Sequence, residues 1–170
     1  MFTYTSIDEL VQAATNAHRK ISELVLADQA EALEQPAKEI FNKMLKDLYV
    51  MKDAVKFGER PEQRSTSGLT GGEGWKMKQY TARTKGGLGG TLINHAIGRA
   101  LAVAGCNASM GRIVATPTAG SCGILPGCLL TMLEEKDMDQ RDVVMSIFTA
   151  GAFGMVIAQN ACIAGAQGGC

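Results

Sequence analysis

The chain lacks net charge, because 17 Lys and Arg balance 17 Asp and Glu. That removes the electrostatic case for a nucleic-acid partner or an anionic membrane surface, since both require clustered cations. Cys-x-x-Cys pairs are also missing. The five cysteines, Cys106, Cys122, Cys128, Cys162 and Cys170, include no spacing of a zinc site or a thioredoxin-like redox motif. Neither glycine-rich stretch, Ser65 to Gly72 or Lys85 to Gly90, follows the Gly-x-x-x-x-Gly-Lys-Ser/Thr pattern, and no clear strand precedes either, which argues against phosphate binding of the P-loop type. Alternating or β-branched runs long enough for a sheet are absent apart from the short Arg112 to Ala115, so the fold is expected to be mainly α. Residues 1–6 carry no signal-peptide pattern, and with the odd cysteine count this points to a reducing, cytoplasmic setting.

Glycine is missing too, but only from the first third. None of the 20 glycines precedes Gly58, and there the sequence reads as helix. Ser6-Ile-Asp-Glu9 forms a capping box, and Leu10, Ala14, Ala17, Ile21, Leu24 and Val25 follow at helical spacing, predicting one amphipathic helix over residues 7–33. Pro36 can open a second helix with apolar Ile40, Phe41, Met44, Leu45, Leu48, Met51 and Val55, and Gly58 can end it. Residues 1–57 are therefore expected to form a helical hairpin of scaffold character, with His18 on a helix surface. A chain of 170 residues suffices for a single domain with a real core. Charge is unevenly spread: 25 of the 34 charged residues lie in residues 1–85, so the second half is either core or interface.

Residues 58–170 hold the candidate site. Ser65-Thr-Ser-Gly-Leu-Thr-Gly-Gly72 offers hydroxyls and backbone N–H groups suited to a small anion such as an amino-acid carboxylate, the plain alternative being a flexible surface loop. Residues 91–104 predict a buried helix capped by Gly105, within which His95 is a candidate general base or, more simply, a hydrogen-bonded core histidine. Asn107, Ser109 and Arg112 follow in a turn expected to hold or line the site. The stretch Thr116-Pro-Thr-Ala-Gly-Ser-Cys-Gly-Ile-Leu-Pro-Gly127 places Cys122 between prolines and glycines, just before a helix expected over residues 127–135. A thiolate is favoured at such a helix N-terminus and can ligate metal, whereas the plain alternative is a small core filler. Residues 143–170 carry no charge, which fits a central helix buried in a bundle or against a partner better than a membrane span interrupted by Ser146, Thr149, Gln159 and Asn160.

Four segments together resemble one family. Ser65 to Gly72, Asn107-Ala-Ser-Met-Gly111, the Thr116 to Gly127 loop and Gly165-Ala-Gln-Gly-Gly-Cys170 are similar, in order and over essentially the whole chain, to the α subunit of the iron–sulfur-dependent L-serine dehydratases, the bacterial pyridoxal-phosphate-independent L-serine deaminases. The resemblance implies a single helical catalytic domain with the site in Gly-rich loops. It also implies a [4Fe–4S] cluster with Cys122 and Cys170 among its ligands, a further ligand beyond Cys170 where the family sequence continues, and an inactive protein when the chain is cut there. Ser65, Ser67, Thr70, Gly71, Asn107 and Thr118 become expected substrate contacts, while Cys106, Cys128 and Cys162 are expected to pack. The implied reaction, part of amino-acid catabolism and gluconeogenesis, removes water from L-serine and yields pyruvate and ammonia. Its hydroxide leaving group needs a Lewis acid near neutral pH. A β subunit, and an oligomer, are the implied partners, and the general base is unassigned. The alternatives are a related cluster-dependent lyase acting on cysteine or another β-substituted amino acid, and a non-catalytic helical interaction or membrane-associated protein.

Overall fold

A computed structural model describes residues 4–116 and 119–162 of the chain, and the side chain of Leu88 is not among the described groups. Among the described residues there are seven α-helices, one 3-10 turn and no strand, so the expected mainly helical class holds. Arg112 to Ala115 is irregular backbone rather than a strand. Contacts divide the chain into two compact parts, Met1–Lys46 with Asp139–Cys170, and Asp47–Met138. The division falls inside a helix, whereas the change of composition falls at Gly58.

The first part contains α1 (Ile7–Asn16), α2 (Ile21–Ala32), the start of α3 (Ala37–Gly58) and α7 (Gln140–Asn160). Ser6 Oγ accepts from the Glu9 amide at 3.2 Å, and the Glu9 carboxylate takes Thr5 N at 2.8 Å. The single helix expected over residues 7–33 is broken. Ala17 N and Arg19 N close α1 on the Ala13 and Ala14 carbonyls, His18 turns to φ +50°, and Lys20 N donates to Glu23 Oε2 at 3.0 Å to open α2. His18 therefore lies in the turn rather than on a helix surface. The apolar residues keep helical spacing across the break, so periodicity alone could not reveal it.

One face of α7, carrying Val143, Val144, Ile147, Phe148, Ala152 and Val156, is buried, and α7 packs on α2. Asp139 caps its start, and Asn160 Nδ2 at its end donates to Thr5 O at 3.0 Å. The expectation was a helix buried in a bundle or against a partner; within this chain Gly151, Phe153 and Ile157 are exposed. By length and composition α7 could cross a membrane; 33% of its most apolar window is buried.

The second part places α5 (Gly90–Ala108) between α4 (Glu73–Thr84) and α6 (Ile124–Glu135). Ala102 is the closest-packed point. A Cβ on Gly74 would lie 2.7 Å from Ala102 Cα and 2.9 Å from Gly58 O, so both glycines are required by the approach of backbones. Helix α5 runs through Gly105 instead of stopping there. Gly105 is needed because the Gln63 amide lies against it: an added Cβ would meet Gln63 Oε1 at 2.9 Å. Ile93, Ile97 and Leu101 form an exposed apolar line on α5 where full burial was expected.

Candidate functional site

The C-terminal end of α5 organises the candidate site through two adjacent residues. Asn107, in the last turn of the helix rather than in a following turn, donates from Nδ2 to Ala119 O at 2.9 Å. Ala108 O accepts Thr66 N at 2.9 Å and Thr66 Oγ1 at 3.2 Å. One residue thus holds the Cys122 loop and the next holds the Ser65–Gly72 loop. Thr118, another expected substrate contact, lies outside the described residues, as does Cys170.

The Ser65–Gly72 loop closes on itself. Ser65 N donates to Thr70 O at 2.8 Å, Thr70 N to Ser65 Oγ at 3.2 Å, and the Ser65 and Ser67 hydroxyls are 3.2 Å apart. Gly71 has φ +147°, and a Cβ there would collide with the backbone of Gln63 and Arg64, so no other residue fits. The expectation of unencumbered amides needs correcting. Gly71 N donates to Glu73 Oε1 at 2.9 Å and Gly72 N to Gln63 Oε1 at 2.9 Å. The Gly71 amide, first among several causes, holds the Glu73 carboxyl below its usual range. What the loop presents outward is hydroxyls, with Ser67 and Thr70 exposed and Ser65 partly so.

The sequence pointed to the hydroxyls and missed Gln63, a buried amide with no motif around it. Its Nε2 donates to Gly105 O at 2.8 Å and Ser109 Oγ at 2.7 Å. Ser109 Oγ in turn donates to Arg64 O at 2.6 Å.

Helix α6 begins at Ile124, three residues earlier than expected, with Gly123 as N-cap, so Cys122 stands immediately before the cap. A Cβ on Gly127 would lie 2.6 Å from Ala96 O, which explains why small residues are needed where α6 meets α5. Cys122 is wholly buried rather than presented. Burial pushes its thiol up, outweighing the lowering by its own backbone N–H, so the helix N-terminus does not make it a thiolate in this state. Cys106, also buried, is pushed up chiefly by burial and further by the neighbouring Cys122, and it donates to Arg112 O at 3.7 Å. Cys128 and Cys162, expected to pack, are exposed. No cluster of three His, Cys, Asp or Glu residues suited to a metal occurs among the described residues.

His95 lies elsewhere. It precedes Asn107 by 12 residues, about 18 Å along α5, and its Nδ1 is 2.6 Å from Glu135 Oε1 at the far end of α6. Arg99 bonds Thr131 Oγ1 at 2.5 Å and Glu134 Oε2 at 2.6 Å beside it. His95, Arg99 and Glu134 border a groove of about 310 Å³ that Lys52, Glu59 and Lys78 also line.

Residues 16–170 match the sequence profile of the serine dehydratase alpha chain. The chain belongs to the serine dehydratase alpha chain family. It is 40% identical over 167 residues to a probable L-serine dehydratase alpha chain of Bacillus subtilis, covering 98% of this chain and 55% of the relative. Against the L-serine dehydratase alpha chain of Peptoniphilus asaccharolyticus it is 29% identical over 163 residues, 95% of this chain and 55% of the relative. The L-serine dehydratase of Streptomyces coelicolor is 31% identical over 176 residues, 99% of this chain and 37% of the relative. The chain therefore spans about half the length, or less, of these relatives. No solved structure matches it.

Proposed function

We propose that this chain is the substrate- and cluster-binding portion of an L-serine dehydratase that converts L-serine to pyruvate and ammonia in the cytoplasm. The observation that carries the reading is the meeting of two loops at one helix end: exposed hydroxyls on Ser65–Gly72, held by Ala108, and a buried thiol beyond a loop held by Asn107. Family membership supports it, and the relatives bear the names of L-serine dehydratases.

A [4Fe–4S] cluster is the cofactor proposed. Cys122 would hold the cluster as a thiolate beside the α6 N-terminus, although burial raises its proton affinity, so iron would have to displace the proton. Cys170 would be the second protein ligand. When bound, such a cluster supplies the Lewis acidity that a hydroxide leaving group needs. The chain's own residues supply the remaining selectivity. Ser65, Ser67 and Thr70 offer hydroxyls that both donate and accept, suited to the carboxylate and ammonium of an amino acid. Asn107 keeps the 116–123 loop at the same helix end. Relatives named alpha chain imply a β partner, and we propose that it completes the site and provides the proton acceptor.

Anaerobic assembly with iron and sulfide, with and without a β chain, tests this through visible absorption and pyruvate release from L-serine. Cluster absorption lost in Cys122→Ser, with serine preferred over cysteine as substrate, is the expected result. Iron binding unaffected by Cys122→Ser would refute the ligand assignment.

A further inference from the structure

We propose that Gln63 is a positioning residue for substrate, acting through the Ser65–Gly72 loop; the inference rests on the reading that this loop contacts L-serine. Three contacts converge on one buried amide. Gln63 Oε1 accepts Gly72 N, where the loop ends and α4 begins, while Nε2 donates to Gly105 O and Ser109 Oγ at the end of α5. Both amide protons and the carbonyl oxygen are thereby used, and the residue is only 5% exposed. The loop leaves Gln63 at Arg64 and returns at Gly72, so one side chain fastens the return of the loop to the helix end that carries Asn107. Ser109 completes the tie: it accepts from Gln63 and donates to Arg64 O, at the loop's departure.

Geometry makes this tie specific. Gly71 admits no Cβ because the Gln63 and Arg64 backbone lies against it, and at Gly105 an added Cβ would meet Gln63 Oε1 at 2.9 Å and press the amide out of its bonds. Replacing it by an apolar side chain leaves the Gly72 N–H, buried with its residue, without a partner, and such a group draws the backbone toward water. The hydroxyls of Ser65, Ser67 and Thr70 then lose their fixed placement. Substrate affinity falls, while chemistry at the Cys122 end of the site proceeds.

The test uses the full chain assembled anaerobically with a β chain and compares Gln63→Leu, Ser109→Ala and Ser109→Thr with the native protein. Expected for Gln63→Leu is a KM for L-serine raised at least fivefold with kcat within about twofold. Amide hydrogen exchange should quicken at Thr66, Thr70 and Gly72 and stay native in α6. Ser109→Ala should shift KM the same way and Ser109→Thr, which keeps the hydroxyl, should restore it. Ser109→Ala also carries the test if Gln63→Leu fails to fold, and L-serine-induced shifts of the loop amides give an affinity independent of turnover. A native KM and native loop exchange in Gln63→Leu would overturn the proposal, as would a fall in kcat with KM unchanged. Native KM in Ser65→Ala and Ser67→Ala would instead remove the loop from substrate binding, a failure of the underlying reading rather than of the tie.

Discussion

The same substitution, glycine to alanine, should act with opposite sign at two helical positions of this chain. In a helix interior, Ala is favoured over Gly by about 1 kcal/mol. Gly151, in α7, has nothing within 4 Å of an added Cβ. Gly151→Ala should therefore stabilise by about 1 kcal/mol, and a protein of this size should gain about 2–4 °C in Tm. Gly74, in the first turn of α4, faces Ala102 Cα and Cβ, both at 2.7 Å from the new methyl, and Gly58 O at 2.9 Å. Two of these atoms are backbone, so relief requires moving a helix, and overpacking of this kind costs about 1–3 kcal/mol or more. The propensity gain offsets only part of that. Gly74→Ala should lower Tm by several degrees, and adding Ala102→Gly should recover little, since Ala102 Cα and Gly58 O remain. Thermal melts of the three variants and the native chain decide the matter. A Gly74→Ala protein as stable as the native one would refute the claim that α4 and α5 meet through bare backbone.

Three further outcomes follow from the site. The Glu73 carboxyl has its pKa lowered by the Gly71 amide, so its contribution is present above the unfolded value near 4.5 and is lost as pH falls through the lower folded value. Relative to its intrinsic rate at each pH, exchange at the Gly71 amide should lose protection on acidification below about pH 4.5, and Glu73→Gln should flatten that dependence. On the proposed role of Cys122 as a ligand, Cys122→Ala should abolish iron uptake while its melt falls by no more than a few degrees, and retained iron would contradict the proposal. His95→Ala should leave kcat/KM for L-serine within about threefold, because His95 stands about 18 Å along α5 from Asn107; a loss of a thousandfold would make His95 a participant despite that distance.

The helices were legible wherever apolar spacing and a stop signal coincided. Pro36 and Gly58 bracket α3, and Ser6 opens α1, because caps are local and written in adjacent residues. The break at His18 left no such mark, since the apolar register runs on and the turn is made by backbone geometry at non-glycine residues. Gly105 misled for a related reason: glycine serves both as a helix stop and as a gap for a neighbouring side chain, and only the placement of Gln63 tells which. The Gly-rich loops stood out by composition and became a candidate site through the family resemblance, while their internal bonding stayed hidden. That Gly71 and Gly72 have spent their amides on Glu73 and Gln63 depends on contacts up to nine residues apart. Cys122 was placed correctly before a helix, while its burial, which governs its proton affinity, is a tertiary property that the surrounding glycines obscure.

Asn107 and Ala108 are consecutive, and successive residues of a helix differ by about 100° in direction and 1.5 Å in height. The two loops they hold, one by the Asn107 side chain and the other by the Ala108 carbonyl, are therefore tied to the same last turn. Winding or unwinding that last turn carries both loops through the same rotation, so the thiol-bearing segment and the hydroxyl-bearing segment cannot be displaced independently by a change in α5. Ser109, at the C-cap with its amide on both the Gly105 and Cys106 carbonyls, is where such a rotation would have to begin.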